Sequence, residues 1–323
     1  MTKQKPEEVI TQQILSSFTE NTVPWKPDYK VNGPSILTPV RNNGMFYRGI
    51  NVLILTCMSL KHGYTSPYFI TYKQCQEEGG NLKGQKGVRI IKYGTMEVDA
   101  KSPGDDPKSI PYLRSYVVFN VSQASGLPDD FIEKRTVEEK CTHSLHELVE
   151  ACGVSLYHGS DMGAYFPEFD QIRLPNLSSY VDEHAYAATL AHELIHSTGH
   201  KSRLDRDLNQ DDIEIRSFEE LVAELGSTFL LNRMNIPTRL EDRVIPYISG
   251  WVKNMGSNAK YILKASAQAQ KAVDYIFESL SGSHTTGTVQ NVSEHPFVKL
   301  RPETVIPITE PFPQSVTIKA ARG

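Results

Sequence analysis

Tyr186-Ala-Ala-Thr-Leu-Ala-His192-Glu193-Leu-Ile-His196-Ser-Thr-Gly-His200 is the stretch on which the reading of this 323-residue chain turns. Residues four apart share one face of a helix, so His192 and His196 can aim both imidazoles at a single metal ion. Glu193 then stands beside the coordination position left open, where it is placed to take a proton from a bound water. The Ala and Leu flanks predict a buried helix over 183–198, and Gly199 offers its stop. An acid between two ligating histidines suits an open, catalytic metal site better than a closed structural one.

A third ligand has to come from elsewhere. Ser202 stands where the metzincin pattern H-E-x-x-H-x-x-G-x-x-H would place its last histidine. Gly199 ends the helix and turns His200 away. A better source is Phe218-Glu219-Glu220-Leu221-Val222-Ala223-Glu224-Leu225, in a helix expected over 217–233. Glu220 and Glu224 fall on one face of that helix, while Leu221, Val222, Leu225 and Phe229 turn inward. Carboxylates set among so much apolar surface are costly unless paired or metal-bound. Glu219 is the rival to Glu220 in register.

The chain is too long for one ordinary core and suits two domains, 1–130 and 131–283, followed by an extended or disordered tail over 284–323. With 39% hydrophobic and 22% charged residues, its composition is that of a soluble globular protein. The pattern is α+β. In the front half it predicts an amphipathic helix over 4–20, loop over 21–49 and a helix over 51–60. A strand over 68–70, a helix over 71–78 and a basic turn over 79–87 come next, then strands over 88–93 and 112–121 around a surface loop at 99–110. The rear half reads as a helix over 144–152, a strand pair at 165–166 and 171–174, and helices over 183–198, 217–233 and 257–280. The opening MTKQKPEEVI has no apolar run, so no secretory signal is expected, and no stretch is long enough to span a membrane. Cys57, Cys75, Cys141 and Cys152 never reach C-x-x-C spacing, which suits reduced thiols in a cytoplasm.

The net charge of −4 hides an asymmetry: residues 1–93 hold 12 Lys/Arg against 6 acids, and the remainder 22 against 32. A basic front half favours a polyanionic partner. Trp25, Tyr47, Tyr68, Tyr72 and Tyr93 are candidates to stack bases. Lys26, Arg41, Arg48, Lys73, Lys83, Lys86, Arg89 and Lys92 are candidates to hold phosphates. Such a set suits single-stranded DNA read without strong sequence preference. Gly79-Gly80-Asn81-Leu82-Lys83-Gly84-Gln85-Lys86 has G-x-x-x-x-G spacing. Gln85 stands where a phosphate loop needs Lys and no Ser or Thr follows, so nucleotide hydrolysis is rejected there.

His192–His196 followed by Glu220-Leu221-Val222-Ala223-Glu224 resembles the gluzincin-type zincin arrangement, H-E-x-x-H then E-x-x-A-(D/E/N). That resemblance implies Glu220 as third metal ligand, Glu224 as the acid orienting a ligating histidine, and one Zn²⁺ or another divalent ion. Longer blocks resemble the ArdC-type antirestriction proteins of conjugative plasmids. In the front half these are YRGINVLIL (47–55), KQCQEEGGNLKGQKG (73–87) and YVVFNVSQASGL (116–127). In the rear they are YFPEFDQIRLP (165–175), TGHKSRLDRDL (198–208) and FEELVAELGSTFL (218–230). The resemblance covers most of residues 10–282. It implies a small mixed α/β domain that binds single-stranded DNA, followed by a zincin-like metallopeptidase domain acting on an unknown protein or peptide. Two other readings stay open: a DNA-binding shield whose zincin domain cleaves nothing, and a peptidase that does not use DNA.

Overall fold

Strand propensity and capping chemistry build the front half around a four-stranded sheet. Its strands are β1 (Val40–Arg41), β2 (Tyr68–Thr71), β3 (Val88–Val98) and β4 (Lys108–Asn120), in the order β1-β2-β4-β3. β1 runs parallel to β2, and the other pairs are antiparallel. Helix α1 (Ile50–His62) lies beside the sheet, and the Asn51 amide brackets the backbone of Ile91, donating to its carbonyl at 2.7 Å and accepting from its N–H at 3.0 Å. Helix α2 (Tyr72–Glu77) starts at a capping box in which Thr71 accepts from the Gln74 N–H and Gln74 accepts from the Thr71 N–H.

The computed structural model describes residues 38–98, 108–132, 141, 143–209, 211–234, 236 and 259–282. The helix expected over 4–20, Trp25, Lys26 and the tail over 284–323 lie outside them. One expectation needs correction. The hairpin strands reach further than expected: β3 continues through Val98, and β4 begins at Lys108, so residues 108–110 are strand where loop was assigned. Register carries the hairpin past the point where β-branched residues thin out.

In the rear half, α3 (Leu145–Ala151) leads to a three-stranded sheet of β5 (Ser155–His158), β6 (Ala164–Phe166) and β7 (Gln171–Leu174), in the order β5-β7-β6. Three longer helices follow: α4 (Glu183–Ser197), α5 (Ile213–Arg233) and α6 (Ala259–Ser281). Asp182 caps α4 and Asp212 caps α5, each accepting backbone N–H bonds at 2.8 Å. The strand β5 was not foreseen from sequence, since SLYH is too short to show a period.

The two domains meet in packed interior. One buried cluster runs from Ile50, Leu53 and Val88 to Leu148, Leu190, Leu221 and Ile276. A smaller cluster of Tyr68, Ile70, Cys75, Leu82, Phe119 and Phe131 fills the other side of the front sheet. Polar ties cross the junction: Thr38 donates to the Asn232 carbonyl, the Gly49 N–H donates to Gln270 at 2.7 Å, and Arg48 pairs with Asp274.

Candidate metal centre

Two helices make the centre, and a glycine lets them approach. At Gly226 on α5 an added Cβ would come within 2.8 Å of the Ile195 side chain on α4. That contact brings the α5 carboxylates up to the α4 imidazoles. His192, His196 and Glu220 offer ligand atoms that all lie within 4.8 Å of one another. The Nε2 atoms of His192 and His196 are 3.1 Å apart. The Glu220 carboxylate sits 3.5 Å from one and 3.6 Å from the other.

The outer nitrogens are held by other acids. Glu219 faces Nδ1 of His196 at 3.2 Å, and Glu224 faces Nδ1 of His192 at 3.6 Å. Glu219 is itself only 2% exposed and is gripped by Arg206 through two bonds, at 2.6 and 2.9 Å. Burial pushes the Glu219 carboxyl toward its neutral form, but the bonds from Arg206 and His196 outweigh it and hold the pKa below the usual range. An ionised Glu219 accepts only, so His196 donates to it from Nδ1 and turns its Nε2 toward His192 and Glu220. Burial likewise opposes ionisation of Glu220, and His192, His196 and Arg216 overcome it. At His192 burial favours the neutral ring, while Glu220, Glu193 and Glu224 together raise its pKa. Two imidazole nitrogens and a carboxylate meet on one point. These donors fit a divalent ion.

Glu193 is buried, at 7% exposure. The backbone passes close beside it at Gly163, where an added Cβ would lie 3.7 Å from Glu193 Oε1 and 2.7 Å from Thr189. Gly163 leads directly into β6. In the order β5-β7-β6 the strand Gln171–Leu174 is paired on both sides. β5 and β6 are the two edges of this sheet, and β6 is the edge that Gly163 brings beside Glu193. The β6–β7 turn is fastened by Asp170, which takes a bidentate pair from Arg203 at 2.8 Å and accepts from the Tyr165 hydroxyl. Arg203 also donates to the carbonyls of Ser197 and Cys152. His200 turns to Ser202, 2.7 Å away.

The residues assigned to DNA scatter. Tyr47 is a correction: it is 8% exposed, its hydroxyl donates to the Phe69 carbonyl, and burial raises its pKa to about 12. Its ring is core and cannot receive a base. Tyr68 is buried as well. Arg41 lies over the Tyr47 ring at 5.4 Å, and the Arg48 charge is spent on Asp274. Tyr72 is 49% exposed, and Lys73 pairs with Glu77 at 3.5 Å. Lys83, Lys86 and Arg89 are exposed, with Arg89 donating to the Ser115 hydroxyl. Sequence reasoning missed Arg206, whose partner is 13 residues away, and gave Glu219 no role beyond rival ligand.

Comparison with known proteins matches both halves of the chain. Residues 4–119 match the family described as the N-terminal domain of anti-restriction factor ArdC, and residues 143–268 match the zincin-like metallopeptidase family. The uncharacterized protein y4eC of Sinorhizobium fredii is 27% identical, over 85% of this chain and 93% of its own. A DNA primase TraC of Escherichia coli is 29% identical over 83% of this chain, which spans only 27% of the primase. Two crystal structures of the antirestriction ArdC protein from the R388 plasmid resemble the fold. The metal-free one has TM-score 0.66 and 35% identity, covering 85% of this chain and 98% of that one. The Mn(II)-bound one has TM-score 0.67 and 33% identity, covering 87% and 100%. With domains, order and fold in common, this chain belongs to the ArdC family of antirestriction proteins.

Proposed function

We propose that this protein is an antirestriction factor of the cytoplasm that holds single-stranded DNA on its front domain and hydrolyses a protein or peptide at the centre between α4 and α5. The observation that carries the hydrolytic half is the convergence of His192 Nε2, His196 Nε2 and Glu220 on one point, with Glu193 buried beside Gly163. His192, His196 and Glu220 would hold the ion, Zn²⁺ by the preference of two imidazoles and a carboxylate. Such an ion polarises a carbonyl and acidifies water. Glu193 is the general base: it takes a proton from the attacking water and returns it to the leaving nitrogen. Glu219 and Glu224 orient the two imidazoles through their outer nitrogens. The substrate backbone would add to the open edge of β6. For the DNA half the support is the match of residues 4–119 and the excess of cations in residues 1–93.

The deciding experiment uses Glu193→Gln in a restriction-protection assay with metal content measured in parallel. The variant should keep its metal and lose both cleavage and protection. Protection that survives intact would favour the shield, in which the rear domain cleaves nothing. Cleavage that survives would remove Glu193 from the base role.

A further inference from the structure

On the β3–β4 hairpin, pairing sets Lys92 against Arg114, Ile90 against Tyr116 and Gly94 against Tyr112. Alternation then puts Lys92, Tyr112, Arg114 and Tyr116 on the face that continues outward from Val88, Ile90 and Val118. Those three are buried in the cluster that α1 joins. Beyond them the face opens: Tyr116 is 39% exposed, and Lys92 and Arg114 are exposed.

Two observations make this more than a solvated strand. Like charges directly opposite across a strand pair repel and destabilise it. Among the described residues, neither Lys92 nor Arg114 has a carboxylate partner; Arg114 instead rests over the Tyr112 ring, 4.9 Å from its centroid. An uncompensated cation pair is what a polyanion relieves. The second observation is spacing. Alternate residues of an antiparallel strand lie roughly 7 Å apart, so Tyr112, Arg114 and Tyr116 repeat ring, cation, ring at about twice the 3.4 Å rise of a nucleic-acid strand. The opposite face offers less, since Arg89 is already tied to Ser115 and its cross-strand neighbour is Val117.

We infer that the Lys92–Tyr112–Arg114–Tyr116 face is the surface on which single-stranded DNA lies, with Tyr116 stacking a base and Lys92 and Arg114 taking phosphates. This rests on the reading of the front domain as a DNA-binding domain, and adds which face does the binding. Sequence reasoning left out Tyr112, Arg114 and Tyr116, because alone they read as an ordinary exposed strand.

The test is binding of the full chain to a labelled mixed-sequence oligonucleotide across a salt series. Tyr116→Ala should weaken binding about ten- to a hundredfold and Tyr116→Phe should restore it. Arg114→Ala should flatten the log–log salt slope by about 0.7. Thermal stability of the free Arg114→Ala protein should not fall, because a repulsive pair is removed; a fall matching the binding loss would make the residue structural and overturn the assignment. Wild-type affinity in Tyr116→Ala and Arg114→Ala, or a larger loss in Arg89→Ala, would overturn the choice of face while leaving DNA binding intact. Failure of the unmodified chain to bind would instead sink the underlying reading.

Discussion

At the metal centre the protein's charges are matched within the fold, whereas on the outer β3–β4 hairpin two cations face each other with no acid of the described fold to answer them. Glu219 has both His196 and Arg206, and Glu220 sits against two imidazoles. Among the described residues, Lys92 and Arg114 have each other and a tyrosine ring. The first arrangement is preorganised: orientation is settled before any ligand arrives, and a cation would complete it. The second is left open, and gains stability only when a polyanion arrives. One chain can do both because the two arrangements use different residues on different elements, α4 and α5 for the first and the β3–β4 hairpin for the second.

The largest break in this contrast comes from removing a donor. His196→Ala should abolish stoichiometric metal in the purified protein, read by elemental analysis. Metal content unchanged in that variant would place the ion elsewhere. Next is Arg206→Ala, which leaves Glu219 buried without its strongest partner. Breaking a buried pair from one side costs about 3–5 kcal/mol, so chemical denaturation should show a loss of that order. A negligible loss would mean Glu219 does not depend on Arg206 for its charge.

pH sharpens the comparison through a different buried cluster in the rear domain. Tyr186 lies between His146 and His158, with its hydroxyl 3.0 and 3.1 Å from their Nε2 atoms. Burial, with a smaller contribution from His158, lowers the His146 pKa from 6.5 to about 4. Its folded pKa lies below the unfolded one, so the unfolded chain binds more protons between the two. The contribution is fully present above about pH 6.5 and is lost as pH falls toward 4, on the order of 3 kcal/mol. His146→Gln should flatten the stability profile over that window. A profile as steep as that of the unaltered protein would assign the pH dependence to other groups.

The smallest effect expected is from Gly226→Ala. Its new methyl would press on Ile195, and overpacking of this kind costs about 1–3 kcal/mol. The same shift should loosen metal binding, since Gly226 sets how near Glu220 comes to the histidines. Unchanged stability and metal affinity would show that Ile195 can move aside.

Much of the fold was legible because its signals are local. The Thr71–Gln74 and Ser144–Glu147 capping boxes and the Asp182 cap start helices within a residue of where the sequence placed them, whereas the Asp212 cap starts α5 at Ile213, a turn before the expected 217. The strand β5 and the outer reach of β3 were not legible, because a four-residue strand has no measurable period and the hairpin's length is fixed by its pairing. Tyr47 misled for a related reason: a tyrosine beside an arginine looks the same in sequence whether its ring faces solvent or core.

The sequence by itself determined the pair of histidines with its intervening glutamate, the second helix carrying three candidate acids, and the basic bias of the front half. Helical spacing and composition suffice for these, since they depend on neighbours within a turn or on sums along the chain. Only the tertiary structure decided how Glu219, Glu220 and Glu224 are placed, because that depends on the close approach of α5 to α4 at Gly226 and on Arg206 reaching across to Glu219. It also decided that β7 is the central strand with β6 at an edge, that Tyr47 is core, and that Arg48 is tied to Asp274. Each of these is a contact between residues far apart in the chain, and the spacing along a sequence does not encode which distant surfaces meet.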